Sequence, residues 1–176
     1  MPFYVTLLPK QIIFAYMEAG LLLFSVNSYH MEDSVGYLLS RARALLGKSL
    51  DAALAGCGIT HAQAAILLML ASGRYETAAD MVRETYTDAA SMTRMLDRLQ
   101  KRGLIERLPH AGDRRQMHLK LTQEGQALAA RLPPILTGVL NAQFAGFSAE
   151  EVGFLKSLLR KMLRVEVSSS DLVDIA

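Results

Sequence analysis

The sequence predicts a mainly α-helical fold that carries one small β-hairpin. Three observations predict this fold class. Apolar residues recur at helical spacing through most of the chain, two short helices with a tight turn between them are indicated near its middle, and a stretch of alternating apolar and polar residues follows the second of them. The 176 residues, 51% hydrophobic and 20% charged, are typical of one globular domain with a core of its own.

The first two long helices are predicted from spacing and from start signals. Over residues 32–56 the apolar positions fall on one helical face: Val35, Leu38, Leu39, Ala42, Leu46, Leu50, Ala53 and Leu54. Glycines at 56 and 58 are expected to end this helix. Thr60 and Gln63 then match a capping box, in which the two residues satisfy each other's free amide groups. They open an almost wholly apolar helix over residues 59–70, which is expected to be buried.

A helix-turn-helix is indicated by two short helices, at about residues 77–85 and 88–102. The link between them is tight, and Thr87 or Asp88 is a suitable N-cap for the second helix. The buried stripe of the second helix is predicted to consist of Met92, Met95, Leu96 and Leu99. Polar side chains, rich in hydrogen-bond donors, fall on its other side: Ser91, Arg94, Asp97, Arg98 and Lys101.

A β-hairpin is predicted directly after the second helix, which Gly103 ends. Residues 104–108 form one strand, residues 109–113 have turn chemistry, and residues 116–121 alternate with period two, as a half-buried return strand does. A hairpin in this place is a wing, so the predicted fold is a winged helix-turn-helix.

Two more helices are predicted after the wing. Thr122 can cap the first, and Pro133-Pro134 should kink or divide it. Ser148 and Glu151 match another capping box, which opens a last amphipathic helix. The apolar side of that helix comprises Val152, Leu155, Leu158, Leu159, Met162 and Leu163. At the other end of the chain, residues 1–30 are expected to form a helical N-terminal extension, unless the natural start is Met31.

Positive charge is concentrated in the middle of the chain. Residues 83–120 contain nine Lys and Arg and five Asp and Glu, a net charge of +4, whereas the whole chain carries +2, which leaves −2 for the rest. A basic segment of this kind is expected of a surface that faces phosphates, although charge clusters in general are more often simply solvated. The single cysteine, Cys57, excludes an internal disulfide and fits a reducing compartment.

No motif indicates catalysis or a metal. The sequence has no nucleophile elbow, no glycine-rich phosphate loop and no set of residues with zinc-ligand spacing. Cys57 and His61 lie four residues apart, but such a pair more often reflects a buried thiol and a histidine at a helix start. The apolar run at residues 11–26 is interrupted by Glu18 and is shorter than the roughly 20 residues that span a membrane. We expect no cofactor, no metal, no membrane partner and a cytoplasmic location.

Four motifs, taken in their order and spacing, resemble the MarR family of bacterial regulators. They are Thr93-Arg94-Met95-Leu96-Asp97-Arg98-Leu99, Lys101-Arg102-Gly103-Leu104-Ile105-Glu106-Arg107, Asp113-Arg114-Arg115 and Leu121-Thr122-Gln123-Glu124-Gly125. The resemblance covers residues 33–165 and implies a homodimer that binds double-stranded DNA at a pseudo-palindromic operator. Dimerisation helices are then expected over 31–58 and 122–167, the winged DNA-binding domain over 59–121, and a tail over 168–176.

Contacts with DNA are expected from the second helix of the helix-turn-helix. Residues near the start of a helix in the major groove read bases, and those further along meet phosphates. The expected base-facing residues are Ala90, Ser91, Thr93 and Arg94. Arg94 is the main reading residue, because a guanidinium can bond two guanine acceptors at once, and Arg98 and Lys101 are expected on phosphates. The alternative is that Arg94 and Arg98 simply pair with Asp97 and Asp88 on a solvated helix.

The resemblance assigns further roles in the wing and in an effector site. It implies that Asp113 orients Arg115 into the minor groove and that Arg114 supports it on a phosphate. It also implies repression that a small molecule relieves, often an aromatic acid or another phenolic compound. The candidate effector residues are Tyr37, Arg41, Arg43 and His61. Arg41 or Arg43 would pair with a ligand carboxylate, and a surface ion pair is the alternative for either arginine.

Two other function classes compete with a DNA-binding regulator. One is a helical protein-interaction module, against which the basic wing argues, because such a module has no need of Asp113 to Arg115. The other is a small enzyme without DNA binding, against which the lack of catalytic motifs argues.

Overall fold

The computed structural model describes residues 24, 29–109 and 117–165. The chain divides into two compact units, residues 1–45 and 46–176. The predictions for most of the N-terminal extension, for the tip of the wing at 110–116 and for the tail at 168–176 lie outside the described residues.

The described part of the first unit contains a short 3-10 turn and the beginning of helix α1. The turn spans Met31–Asp33 and α1 spans Val35–Leu54, so the helix continues into the second unit. Ser34 lies between them. Its hydroxyl donates to the carbonyl oxygen of Met31 at 2.8 Å and accepts from the backbone N–H of Tyr37 at 3.3 Å. Ser34 therefore stabilises the start of α1 by satisfying a free backbone donor.

A second 3-10 turn, Ala55–Cys57, follows α1 and leads to helix α2, His61–Ala71. Gly58 lies between them with a φ of 65°, in the left-handed region that glycine adopts without steric cost. The predicted capping box is confirmed. The Thr60 hydroxyl accepts from the N–H of Gln63 at 3.3 Å, and the Gln63 side chain accepts from the N–H of Thr60 at 3.1 Å. Helix α2 begins two residues later than predicted.

Helices α3 (Ala78–Thr85) and α4 (Ala89–Lys101) form the predicted helix-turn-helix. Sequence reasoning missed a capping box at the start of α3. The Thr77 hydroxyl accepts from the N–H of Asp80 at 3.1 Å, while the Asp80 carboxylate accepts from the hydroxyl and the N–H of Thr77. The hydrogen bond from the Thr77 hydroxyl is the main reason why the pKa of Asp80 lies below its usual range.

The predicted wing is an antiparallel pair of strands, β1 (Ile105–Pro109) and β2 (Met117–Leu121). Its base is attached to the loop before α3. The N–H of Leu119 donates to the carbonyl oxygen of Glu76 at 2.7 Å, and Nδ1 of His118 lies 3.1 Å from Oε2 of Glu76. The return strand is therefore fixed to the segment that precedes the helix-turn-helix.

Helices α5 (Gln123–Gln143) and α6 (Ala149–Leu163) complete the described fold, and both begin at predicted caps. The Thr122 hydroxyl accepts from the N–H of Gly125 at 3.0 Å. Ser148 and Glu151 form the second predicted capping box.

The sequence predicts that Pro133 and Pro134 kink or divide the helix after the wing, and the prediction of a division is wrong, because both lie inside the single helix α5. The physical reason is the packing on either side of them. Leu132 is fully buried, and Ile135 and Leu136 pack against the same core. Burial of apolar side chains before and after the prolines favours continuing the helix over breaking it.

The core of the second unit is formed by the end of α1 together with α2, α3, α4, the wing and α5. Its fully buried side chains are Leu54, Ile66, Leu67, Met81, Met92, Leu96, Leu99, Ile105 and Leu132. Within the described residues, no helix on its own has the length and apolar character to cross a membrane. Only α1 and α2 taken together, across a sharp bend, have enough.

Candidate nucleic-acid interface

Helix α4 is held by one face and presents the other to solvent. Met92, Leu96 and Leu99 are buried in the core, as predicted, and Met95 is half-buried. The polar residues predicted for the opposite side are exposed except for Ser91, which is half-buried. The core therefore fixes the helix while leaving a row of donor side chains free for a partner.

Three residues at the N-terminal end of α4 form a connected chain of hydrogen bonds. The Asp88 carboxylate accepts from the N–H of Ser91 at 2.8 Å, so Asp88 rather than Thr87 is the N-cap. A guanidinium nitrogen of Arg94 donates to the Ser91 hydroxyl oxygen at 2.8 Å. Hydrogen bonds from the side chain and the backbone of Ser91 hold the pKa of Asp88 below its usual range, and the charge of Arg94 adds to this effect. The start of α4 thus has an oriented arginine.

Other predicted contact residues lie along the same exposed surface. Ala90, Arg98 and Lys101 are exposed, and among the described residues neither of the two cations makes an ion pair. Thr93 is exposed as well, but its hydroxyl donates to the carbonyl oxygen of Ala89 at 2.8 Å. The Thr93 oxygen therefore has lone pairs to offer a partner, whereas its proton is already engaged.

Asp97 of α4 forms an ion pair with a residue of the wing and not with a residue of its own helix. A guanidinium nitrogen of Arg107 in β1 donates to Oδ1 of Asp97 at 2.6 Å. The structure therefore contradicts the alternative in which Asp97 pairs with Arg94 or Arg98. Sequence reasoning missed Arg107, although the period-two pattern of β1 places Arg107 on the same face as the buried Ile105. That shared face was a signal that Arg107 is directed inward.

Arg102, just after α4, connects the helix to the turn that follows α1. Its guanidinium donates to the carbonyl oxygen of Cys57 at 3.1 Å and also to that of Gly58. Carbonyl oxygens at a helix end are free acceptors, which explains why the guanidinium binds there. Cys57 is a half-buried free thiol. Within the described residues, no group of three or more His, Cys, Asp or Glu side chains could hold a metal ion.

The predicted site residues outside α4 lie at the tip of the wing, in α1 and at the start of α2. Asp113, Arg114 and Arg115 lie outside the described residues. In α1, the guanidinium of Arg41 lies over the ring of Tyr37, 5.7 Å from its centroid, and Arg43 is exposed.

His61, at the start of α2, has a carboxylate partner. Its Nδ1 lies 2.9 Å from Oδ1 of Asp51, and the same oxygen accepts from the His61 backbone N–H at 2.6 Å. That backbone hydrogen bond is the main reason why the pKa of Asp51 lies below its usual range.

Similarity to known proteins agrees with this geometry. A model of the MarR family matches residues 58–116. The multiple antibiotic resistance protein MarR of Escherichia coli is 30% identical over 130 residues, which is 73% of this chain and 90% of the relative. The chain belongs to the MarR family. It is therefore a winged helix-turn-helix regulator of transcription that binds DNA, and not an enzyme.

Solved structures of MarR-family proteins match the fold over most of their length. A cysteine-to-serine mutant of E. coli MarR in complex with operator DNA has a TM-score of 0.70 at 28% identity, over 77% of this chain and 99% of that one. BpsR of Bordetella bronchiseptica, whose DNA binding is regulated by 6-hydroxynicotinic acid, has a TM-score of 0.69 at 27% identity, over 78% and 99%.

Proposed function

We propose that this MarR-family chain is a homodimeric repressor that binds a pseudo-palindromic operator and releases it when a small molecule binds. The observation that carries the proposal is the exposed face of α4, with an oriented arginine at its start and, further along, two cations that form no ion pair among the described residues. The E. coli relative crystallised with operator DNA supports the same kind of partner. Because that partner is chromosomal DNA, we place the protein in the cytoplasm.

The start of α4 would read the bases in the major groove. Arg94 uses one of its donors on Ser91, which orients the guanidinium and leaves its other donors for the two acceptors of guanine. Thr93 would accept a hydrogen bond from a base amino group, because its proton is already engaged by Ala89. Ala90 would contact a thymine methyl group.

The other predicted DNA contacts would fix the position of the protein. Arg98 and Lys101 are one to two turns further along α4 and would contact phosphates, which carry no sequence information. In the wing, Asp113 would orient Arg115 into the minor groove, with Arg114 on a phosphate. Narrow A·T-rich stretches concentrate the negative potential that attracts such an arginine.

Dimerisation would cover apolar side chains that are exposed in the single chain. In α1 these are Val35, Leu38 and Leu45, each about half exposed. In α6 they include Phe154, Leu158 and Met162, and Phe154 is 66% exposed. Apolar helix faces of this kind are seldom left in water, and a second copy of the chain is the simplest cover. We therefore assign dimerisation to 31–58 and 122–167, and DNA binding to 59–121.

A small aromatic acid would be the effector, with its carboxylate bound by Arg41 or Arg43 and contacts from Tyr37 and His61. Tyr37 already carries a cation over its ring, so an arginine is positioned beside an aromatic surface there. The relative BpsR, whose DNA binding responds to 6-hydroxynicotinic acid, supports this chemical class. Such a ligand would act by binding best to a dimer whose recognition helices are wrongly spaced for DNA.

Selection from random duplex DNA tests the proposal. The dimer should enrich two inverted half-sites about 10 base pairs apart, with affinity that falls steeply as salt rises. Arg94→Ala should cost about 1–3 kcal/mol and relax the preference at one base pair, whereas Lys101→Ala should weaken all sequences alike. A monomer that saturates a single half-site, or an Arg94→Ala variant with an unchanged motif, would contradict the proposal.

A thermal-shift screen of aromatic acids, beginning with 6-hydroxynicotinic acid, tests the effector class. A ligand that stabilises the protein should also release the selected duplex, and DNA should weaken ligand binding by the same factor. Arg41→Ala or Arg43→Ala should abolish the response without changing DNA affinity. A ligand that binds tightly and leaves DNA affinity unchanged is not the effector.

A further inference from the structure

The turn between α3 and α4 contains a tyrosine in an unusual backbone conformation. Tyr86 is the C-cap of α3, with φ 52° and ψ 26°, in the left-handed region. Among the described residues only one other non-glycine residue, Arg164, has a positive φ. Glycine or asparagine is the usual choice at such a position, because a Cβ atom there crowds the backbone. Tyrosine at 86 therefore costs stability that glycine would not.

Nothing within the described structure compensates for that cost. The Tyr86 side chain is 83% exposed, more than any other large apolar or aromatic side chain of the described residues. Its hydroxyl has no hydrogen-bond partner there, and its ring makes no aromatic or cation contact. The turn is held instead by its neighbours. The Thr85 hydroxyl contacts the carbonyl oxygen of Met81 at 2.7 Å and the Thr87 hydroxyl at 3.0 Å.

Tyr86 lies directly before the start of α4. Only Thr87 separates it from Asp88, the N-cap of the helix whose first turn carries Ser91 and Arg94. When a recognition helix enters the major groove by its N-terminal end, the turn before it lies at the edge of the groove, where the phosphates are. A tyrosine hydroxyl is a regular donor to phosphate oxygens.

We propose that the phenolic hydroxyl of Tyr86 donates a hydrogen bond to a phosphate oxygen of the operator backbone and so fixes how far α4 enters the groove. This inference rests on the proposed role of α4 as the recognition helix. Tyr86 is a positioning contact, which adds affinity for every sequence. Because the phenol is neutral, the contact releases no counterion, and this distinguishes it from the contacts of Arg98 and Lys101.

The test uses the full-length protein and the duplex that it selects from random DNA. Tyr86→Phe removes only the hydroxyl and should weaken binding by about 3–10-fold with an unchanged salt dependence. Lys101→Ala should instead reduce the slope of the salt dependence by about two, because the dimer loses one phosphate contact in each subunit. Replacing single phosphates by neutral methylphosphonates should reveal one position in each half-site where the replacement weakens binding of the wild type but not of Tyr86→Phe.

The thermal stability of Tyr86→Gly provides a second test, because its Tm and its DNA affinity should not fall together. Tyr86→Gly relieves the left-handed strain, so its Tm should equal or exceed that of the wild type by up to about 3 °C, although its DNA affinity falls at least as far as that of Tyr86→Phe. Arg164→Gly is the control for the change in Tm alone, because it relieves the same strain at the end of α6, away from α4. A residue with a merely structural role would lose Tm and affinity together.

Two results separate this inference from the proposed function. If Arg94→Ala weakens binding while Tyr86→Phe binds as tightly as the wild type, with identical methylphosphonate effects, the Tyr86 contact alone is refuted. If neither substitution changes binding, α4 is not the recognition helix and both proposals fail. Weaker binding by Tyr86→Phe at unchanged Tm and unchanged salt dependence establishes the contact.

Discussion

Arg107 of the first wing strand donates a 2.6 Å hydrogen bond to the carboxylate of Asp97 on α4, so the helix and the wing are joined by one ion pair. The Asp97 side chain is 55% exposed and that of Arg107 is 27% exposed. A pair this accessible to water contributes no more than about 1 kcal/mol to stability. We expect its importance to lie in geometry, because it joins two elements that are proposed to contact one duplex.

Asp97→Asn distinguishes positioning from net charge. The substitution removes a negative charge from the proposed recognition helix, so electrostatics alone would tighten binding. We expect the reverse, a loss of about 5–20-fold in affinity at nearly unchanged Tm, because the wing is no longer held in register with α4. Fluorescence anisotropy with the selected duplex measures the affinity.

Glu106→Gln is the control for that experiment. Glu106 is the exposed residue next to Arg107 in β1, and its substitution removes the same charge without touching the ion pair. It should bind DNA as tightly as the wild type or slightly more tightly. Tighter binding by both variants would mean that the Asp97–Arg107 pair has no positioning role.

Gly125→Ala tests the packing of α5 against the start of the wing. A Cβ at Gly125 would lie 1.9 Å from the carbonyl oxygen of Leu104, a backbone atom that has little freedom to move. We expect a loss of at least about 2 kcal/mol in the free energy of unfolding, measured by urea denaturation.

Gly138→Ala is the matched substitution in the same helix. A Cβ at Gly138 meets nothing within 4 Å, and alanine has the higher helix propensity. This variant should be as stable as the wild type or about 0.5–1 kcal/mol more stable. Equal destabilisation by both substitutions would show that the close approach to Leu104 does not explain the loss at Gly125.

The hydrogen bonds between Asp51 and His61 predict a pH dependence of stability. The backbone N–H of His61 holds the pKa of Asp51 below its usual range, so the ionised carboxylate is the form that the fold favours. Its contribution is complete above the unfolded pKa of about 3.9 and is lost as the pH falls through the lower folded value. The side chain is 45% exposed, so the effect is limited to less than about 1 kcal/mol.

Asp51→Asn measures that contribution. The variant should be slightly less stable than the wild type at pH 6, and the difference should shrink as the pH falls below about 4, where the wild-type carboxylate gains a proton. Thermal unfolding followed by circular dichroism from pH 6 to pH 3 provides the comparison. A difference that stays constant down to pH 3 would show that ionisation of Asp51 has no part in it.

Local signals in the sequence predicted most of the fold. The caps at Thr60, Thr122 and Ser148 were predictable because each involves an N-cap and a residue three positions later. The continuity of α5 through its prolines was not, because it depends on burial of Leu132 in a core made by distant residues. Local sequence rules disfavour Pro133 inside a helix because proline lacks a backbone N–H. They take no account of the core packing of the neighbouring side chains, which outweighs that loss.

The candidate site likewise combines features that the sequence predicted with contacts that it did not predict. Spacing within one helix placed Arg94, Arg98 and Lys101 on the exposed side of α4. The contacts of Arg107 and Arg102 join residues 10 and 44 positions apart, and no pattern in a single sequence specifies such pairs. Long-range hydrogen bonds therefore had to come from the structure.

The contact between Arg102 and the turn after α1 predicts a change in spacing preference. Arg102 donates to the carbonyl oxygens of Cys57 and Gly58 and so connects the end of the proposed recognition helix to the turn that follows a proposed dimerisation helix. Without it, we expect each winged domain to be held less firmly in the dimer. Arg102→Ala should lose about 5–10-fold in affinity for half-sites about 10 base pairs apart.

Three duplexes decide what Arg102 does: the selected operator and two versions with the spacing lengthened or shortened by about one base pair. The wild type should prefer the selected spacing clearly, because its two recognition helices are held at a fixed separation. Arg102→Ala should bind all three with similar affinity, since the loss falls on the correctly spaced duplex alone. Lys101→Ala, which removes a neighbouring cation without touching the turn, should weaken all three by one factor. If Arg102→Ala also weakens all three by one factor, Arg102 is a phosphate contact and does not set the spacing.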